Sequence, residues 1–370
     1  MADPLPTDVQ KSSQCSIEYP GATPISEKNL GACPVAEPAV FDAFTLDKYG
    51  NDPLIAAQRA WSEGRLIHHA MSLEGRPHGR TALNAAATTA VAALESRFKK
   101  YFKDTTERID LKSDFIINKI GFYCFAPDWE RAGHDVKTFL SGCTDQELTL
   151  LYSAVVLIDF LRIEKQDAAF SVETNKVRDF FDADNMGKDR YWNCVSISLI
   201  GLHLLKTVGV DGFMAGTLNM VLDAEEGHVG LVLPLDNGLS VYLNNGEEFL
   251  PPRHWGFLKG AEVSTKARPE TVLQPWGAVA WVHDALAIDY GVAGNFKKAE
   301  DEFKQALAIN PDSAITRLNL AAALASQDKL TEAVPHLIQA VEINPDLSVA
   351  RRFLDDITTE LKNRAAAVEP

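Results

Sequence analysis

Apolar residues in the first half of the chain recur at helical rather than alternating spacing. From Asp52 to Phe181 this rhythm predicts helices over Pro53–Leu73, Thr81–Phe102, Thr144–Ile163 and Val172–Phe181. Residues 1–48 mix Pro, Ser, Gly, Thr and Glu with no sustained period and read as an extended or poorly ordered arm. After Asn185 the pattern changes. A nearly all-apolar run, Cys194–Leu205, predicts a buried helix that ends in the turn Val208-Gly209-Val210-Asp211-Gly212. Strand-like stretches follow at Phe213–Leu222, His228–Leu235 and Leu239–Leu243. The last two are joined by Asp236-Asn237-Gly238, a hairpin signal because Asn and Gly tolerate positive φ. One helix feeding an antiparallel sheet makes an α+β core.

The C-terminal part repeats itself. Ile309–Ala314 (INPDSA) recurs as Ile343–Ser348 (INPDLS), which sets Pro311 and Pro345 34 residues apart. On that alignment Leu286-Ala287 matches Leu320-Ala321, Ala299 matches Ala333, Phe303 matches Leu337 and Ala306 matches Ala340. Small residues at fixed places where two helices touch, with this period, resemble the tetratricopeptide repeat over roughly residues 280–347; Tyr290 and Gly294 fit the same pattern. Val349–Lys362 then reads as a closing helix over the last apolar face. The resemblance implies an all-α array at 271–370 that binds a protein partner.

Charge narrows the partners. With 51 acidic against 36 basic residues the chain carries −15, which repels phosphate backbones and anionic membranes, so neither nucleic acid nor membrane is expected as a partner. The start of the chain lacks a basic, then apolar, leader pattern. The longest apolar stretch, near Leu148–Leu161, is broken by Thr149, Ser153 and Asp159, short of a membrane span. Five cysteines (Cys15, Cys33, Cys124, Cys143 and Cys194) lie far apart without a CxxC pair, which argues against a disulfide framework or a structural zinc site and for a reducing, cytoplasmic setting. His68-His69 and Arg253-His254 lack partners at ligand spacing and read as surface or packing residues, as do His134, His203 and His336; no metal and no organic cofactor is expected.

One constellation carries chemistry. Cys194 heads the apolar helix directly after Trp192-Asn193, where free N–H groups and the helix dipole favour a thiolate. His228 opens the second strand and Asn244 follows the third, so hairpin pairing brings them toward one end of the sheet. Thiol, imidazole and amide in that order make a Cys-His-Asn arrangement: nucleophile, general base and orienting group. Asp236 is an alternative third member, although its place at the hairpin tip also suits turn chemistry.

The run from Tyr191 to Phe249, with WNCVSISLIGLHLLKTVGVDG and GHVGLVL, resembles the transglutaminase-like branch of the papain-like fold. The Cys-to-His interval is 34 and the His-to-Asn interval 16, close to that family's spacing, although Asn244 stands where the family usually has Asp. The resemblance implies a papain/transglutaminase-like domain over 49–270 (a helical portion 49–185 and a Cys/His core 186–270), followed by the repeats. It implies a cysteine hydrolase or acyltransferase acting on an amide bond of a protein or peptide, with Trp192 contributing to the oxyanion or substrate site. The alternative is an inactive scaffold whose repeats bind protein. Between Lys206 and Arg253 there is no basic residue, whereas Asp211, Asp223, Glu225, Glu226, Asp236, Glu247 and Glu248 are acidic. A solvated acidic face is the plainer reading of that tract; a site that attracts amines or basic peptides is the sharper one.

Overall fold

The computed structural model describes residues 50–78, 83, 85–124, 136–164, 168–170, 176–181, 190–220, 227–235, 239–243, 257–259 and 267–367, all within one compact unit, Ala43–Pro370. The arm expected over residues 1–48 lies outside them. The apolar rhythm at the start of the described chain builds two helices instead of the single expected one: α1 (Pro53–Ser62) and α2 (Leu66–Glu74). Asp52 caps α1, its carboxylate accepting from the Ile55 N–H at 3.0 Å, and Pro53 occupies the first turn, where its missing N–H costs nothing. Gly64, at φ +65°, then turns the chain between the two helices.

Helix α3 (Ala85–Thr106) starts later than expected, and α4 (Asp114–Cys124) and α5 (Val136–Ser141) were not foreseen. Helix α6 (Asp145–Glu164) follows a reciprocal cap. The Thr144 N–H and hydroxyl both donate to Glu147 Oε2, at 2.7 and 2.9 Å, and the Glu147 N–H donates back to Thr144 Oγ1 at 3.2 Å. Of the expected helix Val172–Phe181 only one turn, α7 (Val177–Phe180), is described; residues 171–175 lie outside. Glu74, at the end of α2, holds that turn by accepting the Val177 and Arg178 N–H groups at 2.8 and 2.9 Å. Burial pushes its carboxyl up to about 8 against those two bonds.

Two short strands, β1 (Ala168–Phe170) and β2 (Arg190–Trp192), pair in parallel, and β2 leads into α8 (Cys194–Thr207). Every residue from Val195 to Leu205 is buried, as befits a helix apolar all round. It lies against an antiparallel sheet of β3 (Met214–Met220), β4 (Gly227–Pro234), β5 (Leu239–Leu243), β6 (Phe257–Lys259) and β7 (Ala267–Leu273), ordered β6-β5-β4-β3-β7. The β4–β5 pairing runs from Leu231↔Leu243 to Pro234↔Ser240, as the hairpin signal predicts, while the turn Asp236–Gly238 lies outside the described residues.

The C-terminal helices are α9 (Val279–Val292), α10 (Phe296–Ile309), α11 (Ala314–Ala325), α12 (Leu330–Ile343) and α13 (Ser348–Ala366). Ala287, Ala299, Ala306, Leu320, Ala321, Ala333, Leu337 and Ala340 are all fully buried, so the small residues aligned by the repeat do sit where helices meet. A further pair keeps the 34-residue period. Arg317 donates to the Pro311 carbonyl at 2.6 Å and Arg351 to the Pro345 carbonyl at 2.8 Å, each tying the start of a helix to the turn before it.

The array is fastened to the rest of the molecule at its first hairpin. Ala278 just before α9, Val279–Val282 and Leu286 of α9, and Ala306 and Ile309 of α10 belong to the same apolar core as α2, α6 and α8, whereas Ala287 and the later helices form a second core. Lys176–Asp289 at 2.7 Å and Arg76–Glu302 at 3.8 Å bridge the two parts at the surface.

Candidate functional site

Cys194 is the first residue of α8. Asn193 before it is extended (φ −152°, ψ −173°); its side chain accepts from the Ser196 N–H at 3.0 Å, and Ser196 Oγ accepts from the Asn193 N–H at 2.9 Å. This capping box fixes the point at which helix begins and with it the direction in which Cys194 leaves the backbone. The thiol is free and half-buried at the edge of the main core. Cys143, the other free thiol among the described residues, is pushed up to about 11 by burial and by the neighbouring Glu147 carboxylate.

Two contacts fix how α8 lies on the sheet. A Cβ placed on Gly201 would stand 3.6 Å from both methyl carbons of Leu231 in β4 and 3.2 Å from Leu157 in α6, so the missing side chain lets α8 press onto both elements. At its C-terminal half, Leu202 and Leu205 share a cavity of about 160 Å³ with Val210–Met214, where β3 begins. The chain therefore turns at the end of α8, runs back along β3 and returns along β4, and β4 points the same way as α8. From the Gly201–Leu231 contact, Cys194 lies seven residues back along the helix, about 10 Å. His228 lies three residues back along the strand, also about 10 Å. Its backbone pairs with Leu218 of β3, and its side chain is outside the described structure, as is that of Trp192, the last residue of β2. Asn244 and Asp236 lie wholly outside the described residues. The cavity stands at the opposite end of α8 from Cys194. Of the acidic tract only Asp211 is described, and it pairs with Lys206 at 3.0 Å.

A second site is built by packing: the sequence reads His68 and His203 as surface or packing residues, yet His68 of α2, Glu95 of α3 and His203 of α8 present ligand atoms that all lie within 4.8 Å of one another. His203 is fully buried and its Nε2 stands 2.8 Å from Glu95 Oε1; the His68 and His203 rings meet edge to face with centroids 6.0 Å apart. Burial, then the neighbouring His203, lowers His68 to about 4, so it is a neutral imidazole at pH 7. Burial works against the Glu95 carboxylate, but the hydrogen bond with His203 holds it below its ordinary value. His69 is likewise in the interior, lowered to about 3 by burial and then by His283 and Arg76. His336 is half-buried and lowered, while His134 and His254 lie outside the described residues. No sequence pattern marks the cluster, because Glu95 and His203 are 108 residues apart. The signal that could have found it is a histidine within a helix too apolar to leave it exposed.

Among the described residues no helix is long and apolar enough to cross a membrane. No curated protein and no solved structure matches the chain. Residues 293–364, from the turn before α10 through most of α13, match the tetratricopeptide repeat family, so this part of the C-terminal array is built of tetratricopeptide repeats.

Proposed function

We propose that the repeats bind a protein partner and that the domain before them, residues 49–270, acts on an amide bond of a protein or peptide through Cys194. In this reading Cys194 Sγ attacks the amide carbonyl, His228 takes the thiol proton and returns it to the leaving amine, and Asn244, or Asp236 in its stead, orients the imidazole. The acyl group then passes from sulfur to water or to an acceptor amine, and Trp192 shapes the oxyanion side. The observation that carries the reading is the shared height of Cys194 and His228: both stand about 10 Å from the same helix–strand contact, on elements that point the same way. A central helix headed by a cysteine and laid on an antiparallel sheet also suits the transglutaminase-like arrangement that the sequence resembles.

A second reading keeps the repeats and removes the chemistry. It is favoured by the half-burial of Cys194 and by the distance of the 160 Å³ cavity from the thiol. Labelling of the full chain with a peptide-amide electrophile, followed by peptide mapping, separates the two. Stoichiometric modification at Cys194, slowed at least tenfold by His228→Ala while Cys143 stays unmodified, is the result expected of the enzyme. Labelling of Cys194 no faster than that of Cys143, and indifferent to His228→Ala, leaves the scaffold.

A further inference from the structure

We propose that His68, Glu95 and His203 form a binding site for a single zinc-class divalent ion, independent of Cys194. The donor set is two imidazole nitrogens and one carboxylate oxygen, which suits zinc, cobalt(II) or iron(II) and not the all-oxygen preference of magnesium or calcium. The donors come from three different helices, α2, α3 and α8, and already converge to within 4.8 Å. A tetrahedral zinc ion with bonds of about 2.0 Å sets its ligands about 3.3 Å apart. The 2.8 Å contact between Glu95 Oε1 and His203 Nε2 therefore has to open by about half an ångström, within reach of the partly exposed Glu95 side chain.

Imidazole binds metal only in its neutral form. In the metal-free state the Glu95 carboxylate and His203 Nε2 share a hydrogen bond at 2.8 Å. The incoming ion takes that position on Nε2 and the ring proton moves to Nδ1, so His203 binds as a neutral imidazole and the Glu95 carboxylate balances one of the two positive charges. Three protein ligands leave a fourth position for water. Glu95, with 22% of its side chain exposed against 0% for His203, marks the side from which ion and water enter.

Cys194 takes no part. It is nine residues before His203, two and a half turns and about 13 Å along the same helix, and so faces the other way. The ion would tie α2 and α3 to the central helix from behind.

The test uses the full chain after treatment with a chelator, titrated with cobalt(II) as a spectroscopic probe and then with zinc(II). The expected result is one equivalent of cobalt with tetrahedral ligand-field absorption, displaced by one equivalent of zinc, and a rise in melting temperature with zinc. Glu95→Gln, at the partly exposed position, should weaken zinc binding at least tenfold, since even the loss of an outer-shell partner costs ~10–100-fold. His68→Asn should do the same, and Cys194→Ala should leave the affinity unchanged. Failure of the unmodified chain to bind cobalt or zinc in the micromolar range overturns the proposal. So does affinity that survives both Glu95→Gln and His68→Asn, or affinity that disappears with Cys194→Ala.

Discussion

Asp284 offers a direct reading of how closely the repeats pack. It sits on α9 and accepts a hydrogen bond from the Thr316 hydroxyl of α11 at 2.9 Å through Oδ2, while its Oδ1 is closed off from solvent with no hydrogen-bond partner among the described residues. Burial pushes the carboxyl up to about 7 from 3.8, against the smaller pull of Thr316. A carboxyl whose value rises on folding contributes stability that is fully present below pH 3.8 and is lost as the pH climbs through about 7. Roughly three pH units at about 1.4 kcal/mol each put the full loss at about 4 kcal/mol, an upper figure. Asp284→Asn keeps an oxygen for Thr316 and removes the charge. Its amide has no evident acceptor, at a cost of about 1–3 kcal/mol, but that cost does not vary with pH. Urea unfolding of both proteins between about pH 5 and about pH 8 isolates the slope: the variant should gain on the parent by about 1 kcal/mol per pH unit up to about pH 6.5, and the gain should level off above about pH 7. A stability difference that stays flat across that range would refute the assignment of a buried, ionisable Asp284.

Three further outcomes follow from the packing. Gly277→Ala sets a methyl 2.5 Å from Leu273 Cβ at the join between sheet and repeats, so it should cost about 1–3 kcal/mol or more in urea unfolding. Gly294 and Asp328 occupy matching repeat positions, both at positive φ, +73° and +61°. Gly294→Ala should therefore destabilise by about 1 kcal/mol, and Asp328→Gly should stabilise slightly, because relief of the left-handed strain outweighs its exposed ion pair with Arg364; thermal melts of the two variants should shift in opposite directions. A fragment beginning near Val272 would expose the Ala278–Leu286 side of α9 and should aggregate, or exchange its amides faster than the whole chain; a soluble, cooperatively melting fragment would contradict the packing described.

The repeats were legible because their order is local: helix contacts made by alanines at a fixed period are visible in the chain itself. The central helix was legible for a related reason, since a run as apolar as Val195–Leu205 has no amphipathic alternative and Asn193 marks its start. Helix α4 escaped because burial there does not follow the apolar pattern: Phe115 is 72% exposed beside the buried Ile116 and Ile117. Strand β7 escaped because Arg268, Pro269 and Glu270 break the alternation, which an edge strand with a register shift opposite Thr217/Leu218 tolerates. The His68–Glu95–His203 convergence exists only through the packing of three helices, and no reading of local spacing contains it. At the Cys194 site the order of residues along the chain is visible in the sequence, whereas the shared direction of α8 and β4 comes from how Gly201 packs on Leu231, a contact between residues 30 apart.

Helix α9 belongs to two cores at once, and this makes the array directional in how it can change over time. Any repeat inserted before α9 would have to reproduce the Ala278–Leu286 surface that meets α2, α6 and α8. An insertion between α12 and α13 meets no such demand: it needs only another pair of helices with alanines at the matching places. Helix α13, with Ala350 and Ile357 its only buried residues, would still close the end. Lengthening, shortening or exchange of repeats is therefore open at the C-terminal side alone, and the surface offered to a partner can vary there without disturbing the helix that carries Cys194 and His203.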